Sequence, residues 1–183
     1  MTIPLPERPT LQGARVILRA PHPSDVAGRL ALGNTPDIHR MFGADPAQTR
    51  PLTPEAAEAW VQAQIAEANA WVIEVDGTLI GALRLHTLNH ADRNARLAIG
   101  ILDADSLGQG LGTEAMRVIA AHAFGDMGLH RLSLRVLAFN ERAIAAYRKV
   151  GFVDEGRERQ SACIAGEWHD DLIMGLLASE FQP

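Results

Sequence analysis

Cysteine, lysine and tyrosine each occur only once in this sequence of 183 residues. Because Cys163 stands alone, the chain cannot form an internal disulfide, and a cysteine-rich metal site is excluded. Lys149 is the one lysine among 17 basic residues. The arginine excess favours planar contacts to phosphate or carboxylate groups, although a codon bias would produce the same ratio. The cysteine usage fits a reducing compartment, and we expect a cytoplasmic protein.

Long hydrophobic runs and an excess of basic charge are also missing. No stretch of ~18 apolar residues occurs, and residues 1–6 show no basic head followed by an apolar run, so we expect neither membrane insertion nor export. The formal net charge of -5 at pH 7 argues against a general nucleic-acid binder. The seven histidines show no metal-ligand spacing beside carboxylates, so no metal site is predicted.

Hydrophobic residues make up 47% of the chain and charged residues 21%, as in ordinary globular proteins. We expect one domain over residues 1–183, because a chain of this length fits a single core and shows no repeat or linker. Residue periodicity predicts a mixed α/β fold in the order strand, two helices, three strands, helix, strand, helix, two strands. The predicted strands are 14–19, 71–75, 79–85, 95–102, 132–136, 158–164 and 172–177. Helices are predicted at 25–32, 54–69 and 140–150, and a further helix is predicted to follow residues 107–113 and to end at 125–128. Loops are predicted at 43–54 and 87–94.

A glycine-rich segment lies between a predicted strand and a predicted helix, and it reads Leu107, Gly108, Gln109, Gly110, Leu111, Gly112, Thr113. Glycines allow a tight turn and close approach of the backbone to a ligand, and the free N–H groups of a first helical turn attract an anion such as pyrophosphate. No Gly-Lys-Ser or Gly-Lys-Thr follows, and Thr113 stands where a Rossmann loop has its third glycine. Nucleoside triphosphates and dinucleotides are therefore disfavoured. A plain strand-to-helix connection is the alternative reading of this segment.

This segment resembles the signature of the GNAT superfamily of N-acetyltransferases: Gln or Arg, two residues, Gly, one residue, then Gly or Ala. Gly110 and Gly112 match it, whereas Leu107 replaces the polar first residue, as is common in the ribosomal-protein (RimJ/RimL-type) branch. The run from Asn140 to Phe152 resembles the family's Asn-containing helix followed by Tyr, Lys, Gly and Phe. Residues 11–19 and 166–177 resemble the two ends of the same branch, so the likeness covers nearly the whole chain.

The resemblance implies the GNAT fold, a central, mostly antiparallel sheet whose middle strands splay apart and which helices flank. It also implies transfer of acetyl from acetyl-CoA to a primary amine by direct attack through a tetrahedral intermediate. A protein N-terminus, a polyamine or another small amine would be the acceptor. The implied cofactor-binding residues are Gly100, Ile101 and Leu102 beside the pantetheine, Leu107 and Gly108, Gln109, Gly110, Leu111, Gly112 and Thr113 at the pyrophosphate, and Asn140 and Tyr147. Asn140 is equally suited to be only a helix cap.

Tyr147 matches the family position whose phenol reaches the coenzyme A sulfur, and we expect it to be catalytic as a donor to the leaving thiolate. A buried core aromatic is its alternative reading. The oxyanion would be stabilised by a backbone N–H near Ile101. Ala98 stands where the branch often carries a glutamate, so the general base is open among His86, His90, Glu74, the pair His169 and Asp170, and a water chain.

The remaining expectations concern the class of protein, the acceptor pocket and the oligomeric state. An enzyme is favoured, while the missing carboxylate at Ala98 keeps open a non-catalytic acyl-CoA-binding or sensor module on the same fold. An unrelated nucleotide-binding α/β domain is the third alternative. The acceptor pocket is expected between the 43–54 loop and the 86–93 turn, and a homodimer is possible because homodimers are common among similar proteins.

Overall fold

The computed structural model describes residues 8–182, which build one eight-stranded sheet with helices packed against it. The expectation about a leader segment concerned residues 1–6, which lie outside the described residues. The strands are β1 Leu11–Gln12, β2 Val16–Arg19, β3 Ala70–Val75, β4 Thr78–Asn89, β5 Asn94–Ile101, β6 Arg131–Leu137, β7 Val153–Ile164 and β8 Glu167–Leu177. The helices are α1 Asp25–Leu32, α2 Pro36–Met41, α3 Pro54–Ala66, α4 Leu111–Gly125 and α5 Glu141–Val150, with a short 3-10 helix at Pro46–Gln48.

The strand order is β1-β2-β3-β4-β5-β6-β8-β7, and only the central pair β5 and β6 is parallel. That pair keeps its register only from Asn94 opposite Arg131 to Arg96 opposite Ser133. Beyond Arg96 the two strands separate. The structure therefore confirms the predicted mixed fold with a mostly antiparallel sheet and splayed middle strands.

Local signals in the sequence account for several of these elements. Asp76 and Gly77 have φ angles of 48° and 76°, which suits the tight turn of the predicted β3–β4 hairpin. The hydroxyl of Thr53 accepts a hydrogen bond from the N–H of Ala56 at 3.2 Å, and Pro54 occupies the first turn of α3 as predicted. Helix α3 ends at Ala66, three residues earlier than predicted.

Several segments differ from the prediction. Strands β7 and β8 each begin five residues earlier than predicted, and neither β1 nor the 3-10 helix was predicted. Residues 87–89 continue β4 and Asn94 begins β5, so the predicted polar loop 87–94 is reduced to a turn. Polar side chains can extend a hairpin into solvent because the backbone supplies the ladder, here with a register shift between His86 and Asn89. Helix α2 was not predicted, although Thr35-Pro36-Asp37 repeats the Thr-Pro-acid pattern that begins α3.

The core lies between the sheet and α4. The predicted inward face of α4 is buried, with Ala115, Met116, Ile119, Ala120 and Ala123 all at most 2% exposed. Alternate residues of β6, Leu132, Leu134 and Val136, pack into the same cluster. Helices α1 and α3 pack against each other and cover the opposite face of β3 and β4. Among residues 8–182, no helix has the length and apolarity needed to cross a membrane.

A carboxylate joins α4 to the first hairpin. Glu114 accepts hydrogen bonds from the backbone N–H of Arg15 at 2.6 Å and of Val16 at 3.1 Å, and from Arg15 Nε at 2.9 Å. Partial burial raises the pKa of this carboxyl, but the hydrogen bonds and the charge of Arg15 outweigh burial, and the net pKa is lowered. The first turn of α4 is thereby held against β1 and β2.

Replacing Glu114 by Gln should lower the free energy of unfolding at neutral pH by about 1–3 kcal/mol, because a charged hydrogen-bond acceptor is lost. The folded pKa lies below the unfolded value, so the contribution is present above the unfolded pKa and disappears as pH falls through the folded pKa. Urea unfolding of both proteins from pH 7 to pH 3 measures this convergence. The matched control is Glu58→Gln on exposed α3 surface. A Glu114 effect that equals the control, or that is independent of pH, would contradict the assignment.

Candidate active site

The separation of β5 from β6 opens a cavity of about 830 Å³. Its walls are the second half of β5, the glycine-rich segment, the first turn of α4, the end of β6 and one face of α5. Ten of the twelve predicted cofactor-binding residues line it: Gly100, Ile101, Leu107, Gly108, Gly110, Leu111, Gly112, Thr113, Asn140 and Tyr147. The sequence motifs that are far apart in the chain therefore meet at one site.

The two other predicted binding residues lie outside this cavity. Leu102 lines a smaller neighbouring cavity, and its N–H already donates to the carbonyl of Ile80 at 2.8 Å. The side chain of Gln109 is exposed and donates to the carbonyl of Asp105 at 2.7 Å.

The glycine-rich segment makes a left-handed turn directly before α4. Gly108 and Gly110 have φ angles of 76° and 80°, a conformation that side chains disfavour. Gly110 is the N-cap residue and offers no side-chain oxygen, so no side chain caps the first-turn N–H groups of Leu111, Gly112 and Thr113. Free N–H groups at a helix start, together with the helix dipole, attract an anion.

Arg15, which does not line the cavity, holds the glycine turn in place. Besides its contacts with Glu114, its guanidinium donates to the carbonyl of Gln109 at 3.1 Å. The arginine therefore balances the negative charge that Glu114 places in the first turn of α4. The N–H groups on the cavity side keep their attraction for anions.

Asn140 caps α5, and this predicted structural role is confirmed: its Oδ1 accepts a hydrogen bond from the N–H of Ala143 at 3.2 Å. The residue is 8% exposed and lines the cavity. Since the cap uses only the oxygen, the amide nitrogen is available as a donor.

Tyr147 lies on the buried face of α5 and lines the same cavity. Its ring packs edge-on against Phe152, with the ring centroids 6.0 Å apart. Burial raises the pKa of the phenol to about 12. The phenol is therefore protonated at neutral pH and can act as a donor, whereas it cannot act as a base.

Of the candidate bases, only His86 lines the cavity. Burial, followed by the charges of Arg84 and Arg96, lowers the pKa of His86, so the imidazole is neutral at pH 7. Glu74 is engaged with Arg19 at 2.6 Å, which removes it from the site.

The other candidate bases lie elsewhere. His90 is exposed in the β4–β5 turn. His169 packs edge-on against Phe139, with centroids 4.9 Å apart, and Asp170 is bound by Arg157 at 3.0 Å. Cys163 is exposed at the cavity wall. Within residues 8–182, no group of three His, Cys, Asp or Glu side chains is placed to hold a metal ion.

The charged side chains of the cavity wall are mainly basic: Arg96, Arg135, Arg142 and Lys149, against one carboxylate, Asp171. Asp171 is 4% exposed and is bound by the hydroxyl of Ser161 at 2.8 Å and by Arg135 at 3.4 Å. A chain with net charge -5 therefore presents a locally positive cavity. Such a field raises the local concentration of an anionic ligand.

A second cavity of about 460 Å³ adjoins the first on the face of the sheet that α1 and α3 cover. Phe42 lines both cavities and is 53% exposed. Its ring lies on the backbone of Gly100, where a Cβ atom would be only 2.6 Å from Phe42 Cζ. Sequence reasoning did not identify Phe42 as part of the site, since no motif surrounds it, nor did it identify Arg29 and Arg84 of the smaller cavity.

Comparison with known proteins gives a family and a fold. The family model of the acetyltransferase (GNAT) domain matches residues 15–153. Spermidine N(1)-acetyltransferase of Escherichia coli (strain K12) is 32% identical over 111 residues, which is 61% of this chain and 59% of that protein. The chain thus spans less than two thirds of that relative's length.

Solved structures agree with the family match. Spermidine N-acetyltransferase from Vibrio cholerae, in complex with CoA and spermine, is 25% identical, with a TM-score of 0.76 over 91% of this chain and 98% of that one. Mycobacterium smegmatis RimJ, in complex with CoA-disulfide, is 24% identical, with a TM-score of 0.78 over 96% of this chain and 90% of that one. The fold is shared with both proteins. Since the family model spans most of the sequence, the chain belongs to the GNAT acetyltransferase family.

Proposed function

We propose that this protein transfers the acetyl group of acetyl-CoA to a primary amine. The observation that carries the proposal is the cavity between β5 and β6, onto which the left-handed glycine turn and the uncapped start of α4 both open. The family match and the relatives named for spermidine acetylation support the same reaction.

The residues of the cavity fit acetyl-CoA. Its volume of about 830 Å³ lies within the ~300–1,000 Å³ range of ligand pockets. The N–H groups of Leu111, Gly112 and Thr113 would hold the pyrophosphate, and Arg142 and Lys149 of α5 add positive charge for the phosphates. The amide nitrogen of Asn140 would donate to the cofactor arm. When bound, acetyl-CoA supplies an acetyl group activated as a thioester.

The reaction joins the amine nitrogen to the acetyl carbon while the carbon–sulfur bond breaks, and the amine loses one proton as sulfur gains one. Backbone N–H groups on the edge of β5 that has left β6, beyond Arg96, would stabilise the developing oxyanion. Tyr147, kept protonated by its burial, would donate to the leaving sulfur. His86 is the neutral side chain at the cavity that can receive the amine proton.

The missing carboxylate at Ala98 supports one rival, a protein on the same fold that binds acyl-CoA without turnover. The rival predicts binding of acetyl-CoA and no acetylated product from any amine.

We further propose that the protein is cytoplasmic, because a lone cysteine fits a reducing compartment. We also propose that it forms a homodimer, because it resembles a family in which homodimers are common.

The proposed pyrophosphate site is tested by Gly110→Ala, which strains the glycine turn because a side chain disfavours its φ of 80°, and which places the new Cβ 3.6 Å from Arg15 Nη2. Calorimetry should show acetyl-CoA binding to the wild type and at least ~10-fold weaker binding to the variant, the effect of one lost hydrogen bond to a charged group. Gly128→Ala is the matched control, because its φ is 63° and it lies outside the cavity. Equal binding by all three proteins, or no binding by the wild type at millimolar acetyl-CoA, would contradict a pyrophosphate site at the glycine-rich segment.

The protonation state of Tyr147 can be measured directly because it is the only tyrosine. Absorbance of the phenolate should show a folded-state pKa of about 12, against 10.0 in the chain unfolded by guanidinium. Because the unfolded state ionises first, the folded protein loses stability as pH rises above the unfolded pKa, and is unaffected by this group below it. A folded phenol that titrates with the unfolded one would contradict a buried donor.

Tyr147→Phe keeps the ring and removes the hydroxyl. We expect kcat to fall by about 100-fold, the lower end of general-acid contributions, while the dissociation constant of acetyl-CoA stays within a factor of two or so of wild type. Steady-state kinetics on an amine that the wild type acetylates, with calorimetry beside it, separates the two effects. An unchanged kcat would mean that Tyr147 is only a core aromatic residue and does not act in catalysis.

A further inference from the structure

The charges of the smaller cavity are all of one sign. The charged side chains of its wall are Arg29 and Arg84, and none of its lining residues is an aspartate or a glutamate. It shares Ala98, Ile99 and Gly100 of β5 with the larger cavity, so a molecule in it would lie beside the part of β5 that is proposed to stabilise the oxyanion. The amine acceptor would therefore meet positive charge and no carboxylate.

Arg29 is the most unusual of these groups. It is 5% exposed, and within residues 8–182 no carboxylate forms an ion pair with it. Two of its five N–H donors are used, toward the carbonyl of Gly33 at 2.6 Å and Oδ1 of Asn34 at 2.9 Å, and Nε is buried without a partner.

These contacts have a structural role, since Arg29 closes the C-terminal end of α1, where the helix dipole favours a cation. A half-charge at a helix end does not neutralise a buried guanidinium, and arginines this buried are normally paired with a carboxylate. The guanidinium also lies 5.4 Å from the ring centroid of Trp60, which lines the same cavity. Charge therefore remains uncompensated at the cavity wall.

Arg19, near the start of α1, shows what a compensated arginine looks like in this protein. Its guanidinium donates to Asp25 at 2.7 Å and to Glu74 at 2.6 Å. Two carboxylates thus bind Arg19, which lines neither of the two cavities described above, and none binds Arg29, which lines the smaller one.

Arg84 adds a second unpaired charge. On β4 it stands directly opposite Ala98 of β5, so both side chains project from the same face of the sheet. Arg84 is exposed and forms no ion pair within residues 8–182. Alanine at 98 leaves this arginine without the cross-strand partner that a carboxylate there would have supplied.

We propose that the acceptor is a small amine that carries an oxyanion, a carboxylate or a phosphate, which Arg29 and Arg84 bind in the smaller cavity. This inference rests on the function proposed above and names the substrate class of that site. The oxyanion supplies the counter-charge that the wall lacks, and planar guanidinium groups bind carboxylate and phosphate through paired hydrogen bonds.

The same charges assist the chemistry. Nearby cations lower the pKa of the acceptor ammonium and so increase the neutral fraction that can attack the thioester. A polyamine would instead bring two or more positive charges to a wall that already holds Arg29 and Arg84. The site is therefore selective against polyamines, although spermidine is the substrate in the name of a relative.

The test compares the common L-amino acids with their carboxamides, with O-phosphoethanolamine and spermidine as further arms, and kcat/KM is expressed per neutral amine because the carboxylate also raises the pKa of the amine. For the wild type, kcat/KM should be about 10- to 100-fold higher for the preferred anionic amine than for its uncharged partner, the value of a charge-assisted hydrogen bond. Arg84→Gln and Arg29→Gln should each remove most of that preference. Arg159→Gln, on the exposed β7 edge and outside both cavities, should keep it.

A binding arm separates this inference from the proposed function. Thermal shift and calorimetry with the N-acetyl forms of the same acids and carboxamides, in the presence of CoA, report selectivity without turnover. Binding of the anionic forms, lost in Arg84→Gln, with no acetylation of any amine, would sink the proposed enzyme and retain the anion site. Wild-type preference for carboxamides or spermidine, or a preference that survives in both variants, would overturn the inference whatever the turnover.

Discussion

The separation of β5 from β6 beyond Arg96 and Ser133 is the constraint on which the rest of the site depends. A parallel pair requires a crossover, and here α4 supplies it, so the helix must begin where β5 ends. The glycine turn, the uncapped first turn of α4 and the open cavity therefore meet at one place for topological reasons. The N–H and C=O groups of β5 that have no hydrogen-bond partner in β6 need other partners, and a ligand that lies along β5 can supply them.

In a site of this kind the start of α4 has to be exposed to the ligand, yet it must stay fixed in place and keep the partial positive charge of a helix N-terminus. Glu114 and Arg15 meet both needs in one contact, because the carboxylate binds α4 to the β1–β2 turn while the guanidinium offsets its charge and braces Gln109. Gly110 can then remain a cap without a side chain, and its left-handed turn leaves the N–H groups of the next residues free.

The parts that could be predicted from the sequence carry local signals. The Asp76-Gly77 hairpin, the Asn140 cap and the glycine turn each depend on a few neighbouring residues, and each lies where it was predicted. Helix α2 has the same kind of signal at Thr35-Pro36 and could have been found. The position of Phe42 over Gly100 could not, because it joins residues that are 58 positions apart through tertiary packing alone. Likewise, His86 stands out from the other candidate bases only when strand register places it at the cavity.

Ala98 is where the sequence and the structure lead to different conclusions. In sequence, alanine in place of the branch's frequent glutamate indicates a missing base and suggests lost activity. In the folded protein, Arg84 stands across from it and Arg29 lines the same cavity without an ion pair, so alanine at this position leaves the local charge more positive than a glutamate would. A carboxylate base and a cationic wall address the same difficulty, since one removes a proton from the amine and the other lowers its affinity for that proton. An acceptor that brings its own oxyanion would satisfy the wall, and its nitrogen would then need only the neutral imidazole of His86 or solvent to take the proton.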